Sequence, residues 1–107
     1  MTILVVEKWL VKPEKQEEHT KVMQKFRKFI KDNPERFKGI KSVKEYTQMF
    51  GGINGMNIWL IEYDSLADYE KENARMQKDE DAKKLTQEWQ ALIDPATVSV
   101  DIWSPME

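Results

Sequence analysis

The sequence predicts an α+β domain in which a four-stranded antiparallel sheet carries its helices on one face. Two short segments, residues 3–6 and 58–61, are apolar at every position, as central strands are when both faces are covered. Two longer stretches repeat apolar residues every three or four positions, the pattern of amphipathic helices. The elements follow the order β-α-β-β-α-β, the split β-α-β arrangement. The chain has 107 residues, a length that suits one domain over residues 1–107.

Each element has a local cause. The first strand runs over residues 2–12 and stops at Pro13; from Glu7 onward it alternates, with Glu7, Trp9 and Val11 on one face and Lys8, Leu10 and Lys12 on the other. Pro13 suits the first turn of a helix, and Glu14, Glu17 and Glu18 place negative charge at its positive end. His19, Val22, Met23, Phe26, Phe29 and Ile30 form its apolar stripe, and Asn33-Pro34 ends it. A second strand over residues 40–50 leads into Gly51-Gly52-Ile53-Asn54-Gly55, a hairpin signal, and the third strand covers residues 56–63. Ser65, with Asp68 three residues on, is a helix N-cap. Leu66, Tyr69 and Met76 form one stripe and Ala82, Leu85, Trp89 and Leu92 another, so the charged run at residues 78–81 predicts a break near Asp79. Asp94-Pro95 is expected to end this helical region before a last strand in which Val98, Val100 and Ile102 alternate.

Composition excludes several function classes. Seventeen basic and nineteen acidic residues give a net charge of -2, without the clustered basic excess of a nucleic-acid-binding surface. The Lys-rich stretch between Lys21 and Lys44 is interspersed with acids and reads as a solvated helix face. With no cysteine, disulfides, thiolate metal sites and cysteine nucleophiles are ruled out. The N-terminus lacks the pattern of a signal peptide, and no apolar run approaches the roughly 20 residues that span a bilayer. A cytoplasmic protein without membrane association is expected.

The ferredoxin-like order places the first and third strands at the centre of the sheet, and these are the two with apolar residues on both faces. A sheet face without helices that carried them would be a large exposed apolar patch, which soluble monomers rarely tolerate. Pairing with a second copy through that face, about a two-fold axis, is the simplest cover. If Val98, Val100 and Ile102 face the helices, Thr97, Ser99, Asp101 and Trp103 face the open side, a mixture suited to a ligand cavity. Glu7 and Trp9 are expected to join that face; Trp59 and Tyr63 share one face of the third strand, and Tyr46 sits on the second.

Element order, length and aromatic content resemble the dimeric α+β barrel superfamily, which includes antibiotic-biosynthesis-type monooxygenases, heme-degrading monooxygenases and the NIPSNAP proteins. The run Glu7-Lys8-Trp9-Leu10-Val11-Lys12-Pro13 is similar to the NIPSNAP opening strand, where a Glu begins an alternating run that ends before a proline. Tyr63-Asp64-Ser65-Leu66-Ala67 resembles its third-strand-to-helix junction, and the stretch from Asp81 to Trp89 its acidic segment before a helical Trp. The chain departs from that pattern at Trp9, where an Arg is common, and in a longer Asp-to-Trp spacing. The heme-degrading branch carries a helical His after the third strand, and this chain has none there, which counts against heme.

The resemblance implies a small-molecule-binding enzyme, either a cofactor-independent monooxygenase or an isomerase acting on a small aromatic or carbonyl compound. Glu7, Tyr63 and Asp101 would handle protons, the two carboxylates because desolvation on an apolar strand raises their pKa. Trp9, Trp59 and Trp103 would form walls, with Tyr46 beside them. His19, the sole histidine, is a candidate ligand-binding group at the cavity mouth, although packing at the helix end is the simpler account. No metal and no cofactor is expected. The alternative is a non-catalytic binding or assembly module whose open sheet face only makes the dimer.

Overall fold

The computed structural model describes residues 2–106. Strand β1 (Ile3–Val11) is followed by a 3-10 turn (Pro13–Lys15), helix α1 (Gln16–Asp32), strands β2 (Ile40–Thr47) and β3 (Asn57–Tyr63), helices α2 (Leu66–Met76) and α3 (Glu80–Gln90), and strand β4 (Ile93–Trp103). The strands form one open antiparallel sheet in the order β2-β3-β1-β4, with the two-sided apolar strands in the middle as expected. It is an α+β fold of the ferredoxin-like type.

The β1–β3 register decides which side chains meet. Val5 lies opposite Ile61, Glu7 opposite Trp59, and Trp9 opposite Asn57. Directly opposed residues share a face, so Ile3, Val5, Glu7 and Trp9 stand with Trp59, Ile61 and Tyr63. That face packs against the α1 stripe, and Val22, Met23 and Phe26 close the core with Ile93. The opposite face carries Leu4, Val6, Lys8, Leu10, Ile58 and Leu60, with Tyr46, Asp101 and Trp103 towards its edges.

Helix ends follow local chemistry. The Asn33 side chain donates to the Phe29 carbonyl at 2.7 Å and stops α1 before Pro34. Ser65 accepts from the Asp68 N–H at 3.1 Å and its hydroxyl donates back to that carboxylate at 2.9 Å. Asp79, where a break was expected, begins α3 by accepting the Ala82 N–H at 3.0 Å. Ahead of β2, Gly39 lets the chain approach α2 closely, because a Cβ there would stand 3.0 Å from Asp68.

The last strand differs from expectation. Asp94-Pro95 lies inside β4 instead of ahead of it, since the helix has already ended at Gln90. The pairing with β1 slips between Lys8 and Leu10, and Thr97 repairs the ladder there. Its Oγ1 accepts the Leu10 N–H at 2.8 Å and donates to the Asp94 carbonyl at 2.6 Å. A side chain thus supplies at this bulge what regular pairing would have supplied.

Arg36 fastens the connection after α1 to both later helices. Its Nε donates to Glu72 Oε1 at 2.9 Å, its Nη1 pairs with Asp79, and its guanidinium lies 5.3 and 5.1 Å from the ring centres of Phe29 and Phe37. Glu72 is only 6% exposed, so losing the arginine leaves a buried carboxylate with only the longer contact to Arg75 at 3.9 Å. Arg36→Ala is expected to cost about 3 kcal/mol. Adding Glu72→Gln should recover part of that loss, as read by denaturant unfolding of the single and double variants.

Candidate functional site

Between the sheet and its helices lies a cavity of about 570 Å³, a volume that suits a small organic ligand. The sheet contributes Glu7, Trp9, Trp59, Ile61 and Tyr63 to its floor, with Val98 and Val100 at the β4 side. Phe26, Phe29 and Ile30 from α1, Tyr69, Glu72 and Met76 from α2, and Trp89 from α3 make the walls. The polar rim, Asn73, Gln77, Lys83 and Gln87, is exposed and lies where α2 gives way to α3. The helix break at Asp79 leaves that rim uncovered by a continuous helix.

Strand alternation delivers Glu7 into this apolar space, between the buried residues Val5 and Trp9 on the same face. Water can reach part of it through the cavity. No ion pair holds the Glu7 carboxylate among the described residues, and burial raises its pKa above the usual carboxylate value. Tyr63, which ends β3 opposite Ile3 of β1 and Ile40 of β2, is 6% exposed. Burial, and next the negative charges of Glu7 and Glu72, push its hydroxyl well above the ordinary tyrosine range, so it stays a hydrogen-bond donor. Its ring meets Tyr69 edge-on, with centroids 5.4 Å apart. Tyr69 is raised in the same direction, by burial first and then by Glu7. The indole N–H groups of Trp59 and Trp89 are buried without hydrogen-bond partners among the described residues. A raised carboxyl group and unspent donors fit a ligand that brings acceptor oxygens and a proton to exchange.

Trp9 is positioned by the lone histidine. Its Nε1–H donates to His19 Nε2 at 2.9 Å, and the two rings are tilted at 6.0 Å between centroids. An Nε2 that accepts is unprotonated, so the neutral imidazole carries its proton on Nδ1. His19 is 4% exposed, and burial holds its pKa below the ordinary value, opposed in part by the negative charge of Glu45. Trp9 also meets Trp89 and Trp59 edge-on at 5.0 and 6.3 Å. The bond to His19 therefore sets the orientation of an aromatic cluster on the cavity floor, while His19 itself does not line the cavity.

The structure brings Glu7, Trp9, Trp59 and Tyr63 together and separates them from Asp101, Trp103 and Tyr46. Asp101 lies opposite Val6, Trp103 opposite Leu4, and Tyr46 opposite Ile58, all on the face without helices. The expectation that Glu7 and Trp9 would share the open face with Asp101 and Trp103 is thus corrected, because Glu7 pairs with Val100 and points to the helices. Asp101 and Trp103 are exposed in the single chain, as is Tyr46. Tyr69, Glu72 and Trp89 belong to the cavity; Tyr69 and Trp89 were read from sequence only as helix-stripe residues, and Glu72 was not singled out. The stripe Tyr69, Glu72, Met76 held the signal, since a carboxylate at three- and four-residue spacing between apolar residues faces inward. Among the described residues no three His, Asp or Glu side chains gather as they would to hold a metal, and no helix is long and apolar enough to cross a membrane.

No protein-family model and no curated protein matches the chain. Solved structures do. A NIPSNAP family protein from Agrobacterium tumefaciens is 15% identical with a TM-score of 0.76, covering 100% of this chain and 95% of that one. A protein from Caulobacter crescentus assigned as an antibiotic biosynthesis monooxygenase is 18% identical at TM-score 0.75, covering 99% and 91%. A dimeric protein of unknown function with a ferredoxin-like fold, from Bacteroides fragilis, is 14% identical at TM-score 0.61, covering 95% and 94%. At these identities the likeness is one of fold.

His19 and Glu7 give opposite pH dependences. His19 has a depressed folded pKa, so its contribution is present above the ordinary histidine value and is lost as pH falls through the folded one. Glu7 has a raised folded pKa, so its contribution is present below the ordinary value of 4.5 and is lost as pH rises through the folded one. Glu7→Gln should therefore raise the Tm at pH 8 and leave it nearly unchanged at pH 4. His19→Gln should flatten the loss of stability between pH 7 and pH 5. Thermal melts across that pH series check both.

Proposed function

We propose that the chain is an enzyme that moves a proton on a small aromatic or carbonyl compound held in the cavity between sheet and helices. The observation that carries this is Glu7, a carboxylate with raised pKa and no ion-pair partner among the described residues, set in a largely apolar cavity of about 570 Å³. Structural economy would place an apolar residue there, since a buried carboxylate with raised pKa lowers stability at neutral pH.

In this reading the substrate lies against Trp59 and Trp89 with an acceptor oxygen at the Tyr63 hydroxyl. Glu7 takes a proton from the carbon α to the one that bears that oxygen; the C–H electron pair moves into the ring or enolate system, and the negative charge developing on the oxygen is met by the Tyr63 O–H. Return of the proton to a different carbon is an isomerisation. Where dioxygen is the co-reactant, a CH2 group becomes a carbonyl, one oxygen atom entering the product and the other leaving as water. Either outcome starts with the same proton transfer and calls on no cofactor.

A homodimer through the open sheet face supports the same architecture. Leu4, Leu10, Ile58 and Leu60 are half-buried on that face, Tyr46 and Trp103 are 48% exposed, and one fold neighbour is itself dimeric. If the chain is instead a non-catalytic assembly module, these same residues are its purpose, and the cavity binds nothing.

The deciding experiment is a panel of small phenols, quinones and cyclic ketones followed by thermal shift and then by turnover. Ligands should raise the Tm of the wild type. Glu7→Gln should retain binding and lose about 10²- to 10⁴-fold in kcat, the range for a removed general base. No Tm shift across the panel, with a dimer present, would favour the assembly module.

A further inference from the structure

The cavity is unfinished on its β4 side. Val98 and Val100 line it, yet they are 37% and 48% exposed, and Ile102 on the same face is 47% exposed. Helix α3 reaches β4 but does not bury these three side chains. Val100 stands directly opposite Glu7 in the sheet, so the open wall lies beside the carboxylate that the chemistry needs enclosed.

The same chain carries an exposed apolar arm. The hairpin between β2 and β3 exposes Met49, Phe50 and Ile53 by 74%, 84% and 52%. This tip is built to a shape. Gln48 pairs with the far side of the loop in both directions, its N–H donating to the Met56 carbonyl at 2.8 Å and its carbonyl accepting the Gly55 N–H at 2.9 Å. The Gln48 side-chain amide bonds the Gly51 carbonyl at 2.8 Å and also the Phe50 carbonyl. Gly51 and Gly55, at φ 76° and 84°, supply the left-handed positions that the turn requires. A braced loop presenting three large apolar side chains to water is costly for a monomer and useful at an interface.

Arm and open wall lie at opposite edges of one sheet, β2 and β4. A single chain cannot bring them together, but two copies related by a two-fold axis satisfy both surfaces twice over. We propose that Met49, Phe50 and Ile53 of a second copy close the cavity over Val98, Val100 and Ile102, so that each site is completed by the partner's hairpin. The inference rests on the homodimer reading above and goes beyond it by giving the partner a part in the site.

The absence of native cysteine makes the test clean. Chains carrying F50C are mixed with separately tagged chains carrying V100C and then oxidised. A disulfide joining the two kinds of chain is the expected product, and only an intermolecular contact can make it. In a second measurement, V100C is labelled by a maleimide in the dimer with and without M49S/F50S/I53S. Those three side chains are exposed, so the fold should tolerate the change. Labelling should quicken by about tenfold or more, as the covered population falls, while light scattering still reports a dimer. A dimer whose V100C labels at the same rate with either hairpin, and which gives no mixed disulfide, overturns the closure and leaves the homodimer standing. A wild-type chain that is monomeric at micromolar concentration overturns both.

Discussion

The register between β1 and β3 governs everything else in the molecule. Because Glu7 lies opposite Trp59 and Val5 opposite Ile61, one face of the sheet receives the large aromatic and branched side chains, and α1 docks there. A shift of one residue would send Glu7 and Trp9 to the face without helices and bring Lys8 under α1. The cavity, its carboxylate and the anchoring of Trp9 to His19 all follow from this one alignment. It is itself fixed by burial, since only this register hides Ile3, Val5, Trp9, Trp59, Ile61 and Tyr63 at once.

The cavity exists because these side chains are large, flat and few. Trp9, Trp59 and Trp89 meet edge-on instead of stacking, and rings in that arrangement leave gaps that aliphatic side chains would fill. Arg36 holds α2 through Glu72 at the cavity wall, so the helix is secured by charge where apolar contact is thin. The helix layer leaves a cavity above Glu7, an arrangement suited to admitting a ligand.

Strand order, the capping by Ser65, the break at Asp79 and the α1 stripe were legible because each has a local cause in neighbouring residues. The facing of β1 was not. Residues 3–6 are apolar throughout, so alternation, which assigns faces, begins only at Glu7, and nothing in the strand itself says which side the helices take. That is why Glu7 and Trp9 were grouped with Asp101 and Trp103, although Val98, Val100 and Ile102 were rightly turned towards the helices. Asp94-Pro95 misled for a different reason: the pair reads as a stop, and only the Thr97 hydroxyl, arriving from three residues on, lets a strand continue past it. Tyr69 and Glu72 reach the cavity through tertiary packing that a helical stripe announces only faintly.

The bulge at Thr97 also bears on what the protein avoids. An unpaired strand edge invites the edges of other molecules, and a flat one permits pairing in many alignments. Here Pro95 lacks a donor and the slip at Lys8 twists the first half of β4 out of true, so a foreign strand finds no continuous ladder. Only the stretch from Val98 onward keeps regular spacing. Aggregation through this edge is discouraged by a local irregularity, and any association that does form there is confined to a short segment with little freedom to slide.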